Sequence, residues 1–169
     1  MKKRFYQQFS LILLITITVS ILFSGCHRPE RQRETIKVEH QFPNTNWTFE
    51  EQVLHFGFDN IDSVSDFRIE FYLKYDTTLV ATDEIPVNVT LTSPDGMETF
   101  VSSVLNFDPK QNKDITPFSN GSVSTMKLVA FPKKQLPQKG RYVVTFYRKM
   151  PKYDNLGFES LTLNVVPIK

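Results

Sequence analysis

From residue 50 onward, hydrophobic and polar residues alternate with a period of two, the mark of strands that bury one face and wet the other. The clearest case is Asp66 to Tyr75, where Phe67, Ile69, Phe71, Leu73 and Tyr75 alternate with Arg68, Glu70, Tyr72 and Lys74. Val87, Val89 and Leu91 alternate with Asn88, Thr90 and Thr92, and Leu161, Leu163 and Val165 with Thr162 and Asn164. Similar patterns predict further strands at 52–58, 97–105, 123–131 and 141–149. No ten-residue stretch carries an amphipathic helical stripe, and no internal repeat is present. These seven strands predict an all-β fold, a single immunoglobulin-like antiparallel β-sandwich over 42–169.

Turn chemistry agrees with the strand pattern. Ser93-Pro94-Asp95-Gly96 places proline at the first turn position and glycine at a left-handed exit, so the flanking strands should form a hairpin. Leu136-Pro137-Gln138-Lys139-Gly140-Arg141-Tyr142 is a second turn signal. Its Pro-x-x-Gly-x-Tyr form is similar to the turn before a late strand in immunoglobulin-like sandwiches, where the tyrosine ring closes one end of the core.

Ahead of the strands the pattern changes. Lys2, Lys3 and Arg4 precede an uncharged run from Phe9 to Phe23, which reads as a secretory signal over 1–25. The run is shorter than the roughly 20 apolar residues that a membrane-spanning helix needs. Phe23-Ser24-Gly25-Cys26 resembles the lipobox of bacterial lipoproteins, which implies cleavage between Gly25 and Cys26 and lipidation of Cys26. Phe23 departs from the usual leucine. The charged stretch that follows, HRPERQRETIKVEHQ, lacks a foldable face and reads with Cys26 as a flexible tether over 26–41. The expected location is the cell envelope, lipid-anchored to a membrane, with the outer membrane favoured and the domain facing the periplasm.

With 169 residues and 21 Phe and Tyr, the chain suits one domain with a sizeable core. One cysteine excludes a disulfide framework within the monomer. Cleavage would remove three of the 20 basic residues and none of the 18 acidic ones, leaving 17 against 18. Such a balance, in that compartment, excludes nucleic acid as a partner. The charge is nevertheless uneven, with eleven acidic side chains between 50 and 98 against Arg68 and Lys74 only. Nine basic side chains between 127 and 169 face only Asp154 and Glu159. Either the halves neutralise one another across strands, or Lys133, Lys134, Lys139, Arg148, Lys149 and Lys152 form a basic edge that docks on an acidic partner or anionic lipid.

Chemistry is sparse. His27, His40 and His55 show no metal-ligand spacing, and no cofactor or metal is expected. On a strand His55 would point away from Leu54 and Phe56, into solvent. Glu50-Glu51 and Asp83-Glu84 are the carboxylate pairs that a glycosidase would require, but adjacent acids at strand edges are ordinary surface, so no catalytic residue is expected. Trp47, the one tryptophan, is either a plug closing the core or, with neighbouring Phe rings, a platform for a glycan or peptide ligand.

The whole layout resembles the GldH-type gliding-motility lipoproteins of the Bacteroidota. The lipobox cysteine and short tether are followed by Phe42-Pro43-Asn44 and Trp47, leading into a strand at 53–58. Toward the C-terminus, Leu136-Pro137, Gly140, Tyr142, Arg148, Met150 and Leu156-Gly157-Phe158 look like that family's closing segments. Residues 108–122 and 81–86 depart from its central loops. The resemblance implies a membrane-anchored accessory or assembly subunit of the gliding or type IX secretion machinery. Other envelope lipoproteins or apparatus proteins would be its partners, met through the basic strands and the loop at 108–120. The other reading of the chain is a lipoprotein binding module for glycan or peptide.

Overall fold

A computed structural model describes residues 34–117, 121–149 and 154–168. The signal segment 1–25, Cys26 and Lys152 lie outside these. In chain order the strands are β1 (Ile36–Gln41), β2 (Asn46–Trp47), β3 (Val53–Asn60), β4 (Asp66–Asp76), β5 (Glu84–Thr92) and β6 (Glu98–Asn106). They continue with β7 (Ile115–Pro117), β8 (Val123–Gln135), β9 (Gly140–Arg148), β10 (Asn155–Leu156) and β11 (Phe158–Ile168). Among the described residues there is no α-helix, only a tight turn at Pro43–Thr45.

The antiparallel β-sandwich expected from the alternation is present. One sheet has the order β1-β11-β4-β8-β7 and the other β3-β9-β5-β6, with β2 and β10 forming a small separate ribbon. Inward positions of both sheets supply the core, and Phe71 meets Phe56 at 5.5 Å and Phe146 at 4.8 Å across the interface.

The strand order corrects the immunoglobulin-like expectation. An immunoglobulin sandwich sets its first two strands side by side in one sheet, whereas here β1 and β3 lie in opposite sheets. The pairs β5·β6, β4·β8, β3·β9 and β1·β11 are nested about the β5–β6 turn. A long antiparallel ribbon has been rolled up, and β11·β4 and β9·β5 contacts close the two sheets. This is the eight-stranded jelly roll. The Ser93–Gly96 turn closes the one hairpin at its centre, with the Gly96 amide donating to the Ser93 carbonyl at 2.9 Å.

The eighth principal strand came from the stretch read as tether. Ile36 to Gln41 pair with Val165 to Ser160, so the tether reading fails over 36–41. Ile36 and Val38 pack on the core and their neighbours face out. Three alternations embedded in charged sequence carry little signal alone and gain their stability from the β11 edge. Strand β8 likewise runs through Pro132 to Gln135, where register shifts opposite Phe67 to Glu70 mark bulges that accommodate a proline.

Both ends of the sandwich are closed by fixed corners. Tyr142 is buried, stacks on Phe58, and its hydroxyl accepts the Gln138 amide at 3.2 Å, as the Pro-x-x-Gly-x-Tyr pattern suggests. The turn itself crosses between sheets and does not form a hairpin. At the other end Gly157 adopts φ +95°, donates to the Thr45 carbonyl and accepts from the Asp76 amide. A Cβ there would stand 2.8 Å from Leu79 Cβ and 3.1 Å from the Asp76 carbonyl oxygen. Gly157→Ala should therefore cost about 2 kcal/mol or more, read as a lower urea midpoint with unchanged slope. An unchanged midpoint would contradict this packing.

Candidate binding face

The two sheets present different outward faces. On the five-stranded sheet, Glu70 accepts from Arg68 at 2.8 Å, Lys127 at 3.0 Å and the Tyr72 hydroxyl at 2.9 Å, and its side chain is only 3% exposed. Burial alone would raise the Glu70 carboxyl, but these three donors together outweigh it and hold the group below the ordinary carboxylate value. Lys74 pairs with Glu159, and Lys133 with Asp66 at 3.0 Å. This face is sealed by its own charges.

The four-stranded sheet differs. Its register places Phe100, Thr90, Thr145 and His55 in one outward row across β6, β5, β9 and β3. Ser102, Asn88, Tyr147 and Val53 form the next. Neither row contains Asp, Glu, Lys or Arg. Phe100 is 73% exposed and Tyr147 36%, and they lie two strands and one row apart, about 12 Å from strand spacing and rise. Around them the Ser102 hydroxyl donates to Asn88 Oδ1 at 2.7 Å. His55 Nδ1 lies 3.1 Å from Thr145 Oγ1, and Gln52 Nε2 is 3.4 Å from the Tyr147 hydroxyl. Pro86 and Val104 continue the face beyond Asn88 and Ser102. The result is a broad uncharged surface with two aromatic rings and a set of amide and hydroxyl groups between them.

Trp47 is not part of it. The ring is fully buried among Phe42, Phe146 and Phe158, and Nε1 donates to the Glu51 carbonyl at 2.9 Å. The platform reading of Trp47 is therefore corrected to the plug. Arg148 is fully buried as well: its guanidinium sits 5.1 Å over the Trp47 ring and donates to the Trp47 and Thr48 carbonyls at 3.3 and 3.0 Å. Burial pulls its pKa below the ordinary arginine value, with Asp154 and Glu51 opposing. Arg148 cannot serve as a partner contact; it clamps the β2–β3 loop.

The remaining basic residues do not share an edge. Lys133 and Lys134 end β8 and Lys139 precedes β9, whereas Lys149 follows the far end of β9, about 30 Å away along a nine-residue strand. Lys134 reaches the Thr99 hydroxyl at 3.0 Å, and Lys133 is paired as described. Three of the nine basic side chains of the C-terminal part meet carboxylates of the acidic part, as Lys127–Glu70, Lys133–Asp66 and Arg141–Asp59.

The carboxylate pairs are also separated in role. Glu51 accepts from the Thr48 amide and hydroxyl and faces His40 Nε2 at 3.0 Å, so it holds a loop together. Glu84 opens β5 and Asp83 precedes it in a loop. Among the described residues no group of three His, Cys, Asp or Glu side chains is placed to hold a metal.

No family model and no curated protein matches the chain. Among solved structures it is similar to a carbohydrate-binding module, CBM28, specific for non-crystalline cellulose, at 11% identity and TM-score 0.43, over 83% of this chain and 78% of that one. It is also similar to the infectious bursal disease virus VP2 subviral particle protein, at 10% identity and TM-score 0.39, over 84% of this chain and 34% of that one. A third is a carbohydrate-binding module of the β-sandwich superfamily, at 5% identity and TM-score 0.31, over 82% and 58%. No residue role transfers from any of them.

The contrast between the faces yields a pH prediction. Because the folded Glu70 pKa is lowered, its stabilisation is complete above the unfolded carboxylate value near 4.3 and is lost as pH falls through the folded value. Glu70→Gln should cost about 1–3 kcal/mol at pH 7 and flatten the acid limb of a stability–pH curve measured by urea unfolding. Parallel curves for the two proteins would contradict the assignment.

Proposed function

We propose that this protein is a non-catalytic glycan-binding module whose ligand lies across the outward face of the four-stranded sheet. The observation that carries this reading is the pair of uncharged rows holding Phe100 and Tyr147. The apolar C–H face of a pyranose ring lies flat on an aromatic ring, and its hydroxyls pair with amides and side-chain hydroxyls. The span between the two rings suits an extended oligosaccharide. Absence of ionic groups in the rows favours a neutral glycan over an anionic one. Cys26, if lipidated as the N-terminal pattern implies, would display the face from an envelope membrane.

Screening against a panel of neutral oligosaccharides, followed by calorimetric titration, tests the reading. Tyr147→Ala and Phe100→Ala should each weaken binding about tenfold or more, a loss of ~1.4 kcal/mol typical of an interface anchor. Both are exposed, so melting temperature should barely move. Lys127→Ala, on the opposite sheet, should leave affinity unchanged. A flat response across the panel would reject the glycan reading and favour the accessory-subunit role in gliding or type IX secretion, with protein partners.

A further inference from the structure

Among the described residues the two sheets end in four edge strands, β1, β7, β3 and β6. An edge strand leaves every second amide and carbonyl open to another strand, and natural sheets guard against this with charge, proline, bulges or shortness. β1 turns Lys37 and Glu39 outward, β7 is only three residues long, and β3 carries Asp59 with Arg141 laid across Gly57. β6 has no such guard. Over its nine residues the one charge is Glu98, the register with β5 runs without a bulge, and only Leu105 is buried.

Hydrogen bonds at the two ends of the β5–β6 ladder fix which backbone groups are open. The Ser93 amide donates to the Met97 carbonyl at 2.9 Å, and the Phe107 amide to the Asp83 carbonyl at 2.8 Å. Hydrogen-bonded pairs alternate along an antiparallel ladder, so Thr99, Val101, Ser103 and Leu105 turn their amides and carbonyls to β5. Glu98, Phe100, Ser102 and Val104 turn theirs to the free edge. The next carbonyl in that series, on Asn106, accepts from Asn112 Nδ2 at 2.7 Å, which ends the open run. Side chains of the open residues stand on the outward face, with Phe100 73% and Val104 46% exposed.

We infer that β6 pairs antiparallel with β6 of a second copy of this chain, about a two-fold axis at Ser102. That register sets Ser102 against itself and Phe100 against Val104 of the second copy. The facing residues all have the parity that hydrogen bonding requires, so Phe100, Ser102 and Val104 can each exchange both backbone bonds with their counterparts. Phe100 and Val104 cover one another on either side of the axis, and the small serine avoids crowding on it. Glu98 falls toward Asn106 and away from the other Glu98. A strand of unrelated sequence would match the backbone but not this symmetric run of side chains, which serves both copies at once. The two four-stranded sheets then become one continuous sheet. Nothing in the pairing depends on the glycan ligand.

Disulfide cross-linking tests it. At a hydrogen-bonded antiparallel pair the Cα atoms stand about 5.5 Å apart, within disulfide reach. The full chain carrying Ser102→Cys should form a covalent dimer under mild oxidation about tenfold faster than the chain carrying Phe49→Cys, an exposed position in the β2–β3 loop. The parent chain, treated alike, sets the contribution of Cys26. Adding Val104→Lys, which brings a charge against Phe100 of the second copy, should slow the Ser102→Cys reaction about tenfold while the melting temperature barely moves. Tyr147→Ala should leave cross-linking unchanged, which separates this pairing from ligand binding on the sheet face. Equal rates for Ser102→Cys and Phe49→Cys, or a rate indifferent to Val104→Lys, would overturn the inference.

Discussion

Phe71 packs between Phe56 and Phe146, and through that contact the two sheets become one core. The nested ribbon pairs strands distant in sequence, such as β1 with β11, so few of its contacts are local and closure depends on burying apolar side chains between the sheets. Once the inward positions are committed to that task, alternation leaves every second residue facing outward and free to vary. The two outward faces are where this protein differs from a generic sandwich.

Those faces have diverged along one physical axis, charge. Glu70, Arg68, Lys127 and Tyr72 satisfy one another on the five-stranded sheet, and a face whose charges are paired offers little to a partner. On the four-stranded sheet the two central outward rows hold Thr, Asn, Ser, His, Val and aromatic residues. Among the described residues no ion pair ties down the two rows, whose side chains are linked only by neutral hydrogen bonds. The two rings stand on a β-sheet whose backbone sets the spacing of their attachment points. Arg148 and Glu51 hold the adjoining β2–β3 loop through the Trp47 plug and give the end of the face a rigid border.

Much of the fold was legible from period-two alternation and turn chemistry, because both act locally. The Ser93–Gly96 turn, the core set of β4 and the closure by Tyr142 could be read directly. The jelly-roll order could not, since alternation says which face a residue takes and nothing about which strand lies beside it. Strand β1 was missed because Ile36 and Val38 sit among charged neighbours and need β11 to fold. Trp47 and Arg148 look in the sequence like exposed recognition residues, yet both are buried, through contacts that reach more than a hundred residues along the chain. The available signal was parity. In β6, Phe100 falls out of step with Val101 and Leu105, and in β9 Tyr147 falls out of step with Val144 and Phe146, so each is an aromatic on the wet side of its strand.

An amide shift map of the protein with a neutral oligosaccharide drawn from the panel tests the uncharged sheet face most directly. Binding at the outward face of the four-stranded sheet predicts saturable shifts confined to the alternating positions of β3, β5, β6 and β9, with Thr90, Thr145 and Asn88 foremost. Shifts concentrated on the outward face of β4 and β8, or no saturable shifts with any member, would contradict the account.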